Sequence, residues 1–99
     1  MENLIKLSHD YSVEALKIYQ VLKTENNESY LGRKIMTNGI ELGLQVRGEK
    51  NTDKILQYIA EMKYLLEVIC DADYLSSDIT EKLTSLCTEI ETTLREENR

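Results

Sequence analysis

Four stretches of about twenty residues each carry an apolar stripe at helical spacing, and no proline interrupts any of them. A proline inside a helix removes a backbone hydrogen bond and clashes with the preceding turn. A chain without one is free to run four long helices. The stripes then dictate how the helices combine, because each has one face to bury and short polar segments to turn in. The expectation is an all-α fold, an up-down-up-down antiparallel four-helix bundle, with residues 1–99 forming one domain.

The first helix is expected from about Asn3 to Thr24, with Leu4, Leu7, Tyr11, Ala15, Ile18 and Leu22 on one face. Asn27 offers an N-cap for the second, from about Glu28 to Arg47, whose stripe is Leu31, Ile35, Leu42 and Val46. Gly39 and Gly43 lie beside that stripe, one turn apart. Each costs a helix about 1 kcal/mol relative to alanine, so the pair implies either a close approach by another helix or a kink near Asn38-Gly39. Gly48 reads as a C-cap and Asn51 or Thr52 as the next N-cap. The third helix, about Asp53 to Ala72, carries Ile55, Ile59, Met62, Leu66 and Ile69, widened by Tyr58, Leu65 and Cys70. The fourth begins near Ser76-Ser77-Asp78 with the stripe Ile79, Leu83, Leu86, Cys87, Ile90 and Leu94, and ends in the solvated tail Arg95 to Arg99.

The second helix has more apolar surface than one stripe needs. Met36, Ile40 and Leu44, spaced by four, form a second row well over 100° from the first, and Arg33 and Arg47 project beside its two ends. Either this helix touches two neighbours within the bundle, or the row meets another copy of the chain. Gly39, Gly43 and Tyr64 join Met36, Ile40 and Leu44 as expected contacts between copies. Six tyrosines without phenylalanine or tryptophan point the same way, since a tyrosine ring packs while its hydroxyl stays wet. Tyr11 and Tyr58 are expected at the edge of the core.

Charge is unevenly placed. Residues 1–48 carry six basic and six acidic side chains, residues 49–99 six and twelve, so the whole net charge of −6 lies in the second half. That balance disfavours a phosphate backbone as partner. Nucleic-acid contact would have to use the local basic residues Arg33, Lys34, Arg47, Lys50 and Lys54.

Catalytic, metal-ligating and cofactor-binding patterns are missing. There is one histidine, His9, and no Glu-x-x-His pair of the kind that holds iron in bundles. Gly39-Ile40-Glu41-Leu42-Gly43 matches no phosphate-cradling loop. Glu41, Glu61 and Glu67 read as solvated face residues. Cys70 and Cys87 fall about 9 Å out of register across the last hairpin, so free thiols are expected. No apolar run is long enough to span a bilayer, and Met1 to Asp10 lack the layout of a leader. A cytoplasmic, non-enzymatic protein without a cofactor, membrane partner or small-molecule substrate is the expectation.

From Ile35 to Ser76 the pattern is more particular. Gly39-Ile40-Glu41-Leu42-Gly43-Leu44 and a polar turn are followed by Ile59-Ala60-Glu61, Leu65-Leu66-Glu67 and Asp73-Tyr74-Leu75-Ser76. This resembles the bacterial four-helix-bundle family encoded by intervening sequences of 23S ribosomal RNA genes, which is related to the accessory variability protein of diversity-generating retroelements. The likeness extends over nearly the whole chain in layout and over about forty positions in residues. It implies a bundle assembling into a ring, typically a homopentamer, with no known catalytic activity. In the retroelement branch the ring is basic and binds nucleic acid and a reverse transcriptase. This chain has Gly43 and Val46 where many members carry Asn and Glu. Three functions follow as expectations: a homo-oligomeric scaffold held through the second helix, a nucleic-acid-binding accessory protein, or an adaptor whose Met36, Ile40 and Leu44 dock a partner's helix.

Overall fold

A computed structural model describes residues 2–97; Asn98 and Arg99 of the expected tail lie outside the described residues. Four helices follow one another: α1 (Glu2–Glu25), α2 (Tyr30–Arg47), α3 (Thr52–Asp71) and α4 (Ser77–Glu97). They pack in the cyclic order α1–α2–α3–α4, with α4 closing against α1 and the diagonal pairs held apart. Each neighbour runs antiparallel to the last, in a body 41 Å long and about half as wide. The expected bundle is therefore the observed one.

The stripes become the core. Leu4, Tyr11, Ile18 and Leu22 of α1, Ile35, Leu42 and Val46 of α2, Ile55, Ile59, Met62 and Ile69 of α3, and Leu83, Cys87 and Ile90 of α4 are buried. Burying such side chains supplies roughly 1.5–3 kcal/mol apiece, which overrides the modest helix propensity of the isoleucines and valines. Two positions depart from expectation. Tyr11 is fully buried and not at the core edge, because its hydroxyl finds a partner inside. Ile79 is 44% exposed, and Thr80 is buried in its place. Cys70 of α3 covers Thr80, whose hydroxyl lies 3.3 Å from the thiol, so the first turn of α4 leans toward α3.

The turns use other residues than expected. Asn27 does not cap α2. It adopts a left-handed φ of 53° that ends α1, and the Glu28 carboxylate accepts the Leu31 amide at 2.7 Å instead. Gly48 sits at the C-cap of α2 with φ −100°, and the left-handed residue is Lys50, φ 56°. Asn51 does cap α3, its side chain accepting from the Lys54 amide at 3.1 Å. Asp73, φ 63°, closes α3 with paired bonds from Asp73 N–H to the Cys70 carbonyl and from Tyr74 N–H to that of Ile69. The Asn26 amide then donates to the Tyr74 carbonyl at 3.0 Å, tying the α1–α2 and α3–α4 turns together at one end.

Helix α2 is continuous through Asn38-Gly39, and its glycines serve close approach. A Cβ on Gly39 would lie 2.5 Å from the Ala15 Cβ, and one on Gly43 would lie 2.9 Å from Ser12 Oγ. With nothing larger between the backbones, the Ser12 hydroxyl reaches the Gly39 carbonyl at 2.6 Å. No described helix is long and apolar enough to cross a membrane.

Candidate interaction surface

Turning the glycine face of α2 onto α1 fixes where its other faces point. Leu31, Ile35, Leu42 and Val46 look into the core side, and the second apolar row emerges on the opposite side of the glycines. Met36 is half-buried there, while Ile40 is 40% and Leu44 59% exposed. The row does not sit against a second neighbour within the bundle, which was one of the two expected outcomes. Leu16 of α1, 38% exposed, stands at the level of Met36, because Gly32 meets Tyr19 and Gly39 meets Ser12 and Ala15 across the seam. Sequence reading missed Leu16. Its signal was an apolar residue lying off the stripe of the first helix.

Arg33 and Arg47 are exposed at the two ends of the row, and among the described residues neither makes an ion pair. Of the expected contacts between copies, the two glycines are corrected. Gly39 and Gly43 are buried under α1, and the physical reason is that the close approach they permit is already filled by a helix of the same chain. Tyr64, 66% exposed, lies on the outer side of α3 and so belongs to a separate face from the α2 row. The five basic residues do not gather in one patch on the protomer either. Arg33 and Lys34 stand near one end of α2, with the Lys34 ammonium 5.5 Å from the Tyr30 ring. Arg47, Lys50 and Lys54 stand about 20 Å away at the other end.

Beneath α2 lies a buried polar junction that the periodicity did not announce. Asn38 accepts from the Tyr11 hydroxyl at 2.7 Å and donates to the Tyr58 carbonyl at 2.8 Å and to Glu61 Oε1 at 3.0 Å. Glu61 is thus not merely a solvated face residue. An open groove of about 770 Å³ between α2 and α3 exposes the outer side of this junction, with Tyr30, Arg33, Tyr58 and Glu61 along its walls. Both amide hydrogens and the carbonyl oxygen of the Asn38 side chain are engaged in holding the helices together. The one signal available was an amide in mid-helix next to the core stripe.

Cys70 and Cys87 are free thiols, as their register implied, Cys70 half-buried and Cys87 buried. Burial is the main reason that the Cys87 thiol is pushed up to about 12, with the Lys63 ammonium opposing the shift. A maleimide at pH 8 should therefore label Cys70 in the folded protein and reach Cys87 only after denaturation, as peptide mass spectrometry would show. Rapid labelling of both under native conditions would contradict the burial of α4. The sign of the pH effect follows. Above the ordinary thiol range the unfolded chain loses the Cys87 proton and the folded one keeps it, so alkali favours unfolding.

No family model matches the chain, and no curated protein does. The fold is nevertheless shared with a solved structure. The crystal structure of a protein of unknown function from the S23 ribosomal protein family of Bacteroides thetaiotaomicron VPI-5482 matches with a TM-score of 0.90. The match covers 97% of this chain and 98% of that one at 20% sequence identity. At that identity the likeness is one of fold.

Proposed function

We propose that this chain is a non-enzymatic interaction protein that assembles with copies of itself through the outer face of α2. The observation that carries the reading is the apolar row on a helix whose core stripe and glycine face are both already engaged. Met36 is half-buried and Ile40 and Leu44 are exposed, with Leu16 beside them. A row of this kind, rimmed by charged residues, marks an interface more often than a free surface. The polar groups inside the bundle are occupied in holding helices together, which favours a scaffold over a catalyst.

Two likenesses bear on the group to which the chain is assigned, and only the first bears on assembly. One is the resemblance of residues 35–76 to the intervening-sequence bundle family, whose members form rings, typically of five. The other is the fold shared with the S23 ribosomal protein family structure. We read both as pointing to one group of bacterial bundles, acting in a reducing cytoplasm.

Light scattering on a sizing column, over a range of concentrations, tests the reading. The expected result is a discrete mass near five times 11.5 kDa. Ile40→Glu should reduce it to the mass of one chain with helicity retained, because an unpaired charge in an apolar contact costs several kcal/mol, about a thousandfold in affinity. A wild-type protein that is monomeric at every concentration overturns the proposal.

A further inference from the structure

The α2 row needs something to dock against, and the charges at its ends narrow the choice. We propose that the receiving surface is a different one on the neighbouring copy, the outward strip of α3 around Ala60 and Tyr64, so that the contact runs head to tail. This rests on the assembly reading above and names what the row meets.

The first ground is the repulsion that self-pairing would create. Arg33 and Arg47 each stand seven residues from Ile40, two helical turns or about 10.5 Å, and a seven-residue step stays within about 20° of one face. Were α2 to pack on α2 of another copy about a two-fold axis, arginines would meet at both ends. An antiparallel pair centred on Ile40 sets each Arg33 beside an Arg47, and a parallel pair sets like beside like. Such juxtaposition in a drying interface costs several kcal/mol.

The second ground is a strip of matching spacing and opposite charge. On α3, Asp53 and Glu67 each stand seven residues from Ala60, with Tyr64 one turn beyond it, and all four are exposed. Among the described residues neither Asp53 nor Glu67 makes an ion pair. Antiparallel packing with Ile40 against Ala60 brings Arg47 opposite Asp53, Arg33 opposite Glu67 and Met36 opposite Tyr64. The alanine leaves room for the isoleucine, and the tyrosine ring covers the methionine. Asp53 also complements the N-terminal dipole of α3, but Glu67 and the exposed Tyr64 have no such role in the protomer.

The topology agrees. Helices α2 and α3 already run antiparallel, and copies related by rotation about an axis along the bundle keep that sense. The two faces sit on adjacent corners of the bundle, and a heterologous contact between them forms a ring where the rotation from copy to copy closes. The acidity of residues 49–99 beside the electroneutrality of residues 1–48 has the same arrangement: one half of the chain receives the cationic rim of the other.

Complementation between two blocked chains tests this. Ile40→Glu removes the α2 row and Tyr64→Glu the α3 strip; both sites are exposed, and far-UV circular dichroism checks that each variant keeps its helicity. Each alone should be a monomer where the wild type is assembled. Their equimolar mixture should form a two-chain species by sedimentation velocity, because each brings one intact face. Isotopically labelled Ile40→Glu chain, titrated with the unlabelled partner, should show amide shifts along α3. A Tyr64→Glu chain that assembles like the wild type, or a mixture that stays monomeric without those shifts, overturns the pairing and leaves self-assembly standing. A monomeric wild type overturns both. Asp53→Lys with Glu67→Lys serves as a second α3 block, and adding Arg33→Glu and Arg47→Glu to it should restore the ring.

Discussion

Asn38→Ala should lower the folding free energy by about 3 kcal/mol, a large part of the total for a domain of this size. The substitution removes the acceptor of the buried Tyr11 hydroxyl and the donors to the Tyr58 carbonyl and Glu61. The hydroxyl suffers most. Its carboxamide partner is 2.7 Å away and itself buried, and a buried hydroxyl left unpaired costs about 1–3 kcal/mol. Tyr11→Phe removes the hydroxyl together with its need for a partner and should cost only about 1 kcal/mol. In the Asn38→Ala background that second change should cost nothing or restore a little, since the stranded group is gone. Urea denaturation of the four chains, with m-values compared, measures the coupling. A loss below about 1 kcal/mol for Asn38→Ala would mean that water replaces the amide through the α2–α3 groove. The junction joins α1, α2 and α3 directly. A single polar link among otherwise interchangeable apolar stripes fixes how the helices slide along one another.

The seam between α1 and α2 should respond almost as strongly. Alanine at Gly39 gains about 1 kcal/mol of helix propensity. The new methyl, however, would sit 2.5 Å from the Ala15 Cβ, which has no torsion to turn it aside. Overpacking of this kind costs about 1–3 kcal/mol, and here the backbones themselves must part, breaking the Ser12 bond to the Gly39 carbonyl. A net loss of about 2 kcal/mol is expected. Ala15→Gly in the same chain should recover more than half of it by restoring the missing methyl's worth of space. Gly43→Ala meets the Ser12 hydroxyl at 2.9 Å. The hydroxyl can rotate by giving up its bond to the Gly39 carbonyl, and against the gain of about 1 kcal/mol in propensity stability should change by less than about 1 kcal/mol. Thermal midpoints followed at 222 nm order the variants. Equal effects at Gly39 and Gly43 would show that the seam opens freely and that the glycines are not there for close approach.

What a linear sequence conveys depends on whether a property is local or relational. Leu83, Leu86, Cys87, Ile90 and Leu94 were legible as a buried face because burial in a bundle follows the 3.6-residue period, which each helix carries by itself. Ile79 has the same periodicity and is exposed. Thr80, one residue on, takes the buried place against Cys70 of α3, and no pattern within α4 records that. The turns divide likewise. Asn51 as a cap is a matter of four adjacent residues and was readable. The left-handed conformation at Lys50 in place of Gly48 depends on where two helices require the chain to re-enter.

The candidate interface shows the same division most sharply. The sequence alone determined that α2 carries two apolar rows and a pair of glycines, and that Arg33 and Arg47 flank the second row, since all of this is arithmetic on helical angles. Only the tertiary structure decided that the glycines face α1 of the same chain, that Ile40 and Leu44 are left in solvent with Leu16 beside them, and that Tyr64 stands on a separate face. The physical reason is that a helix's own period says which residues share a side, while which side is covered is settled by the helices that pack against it.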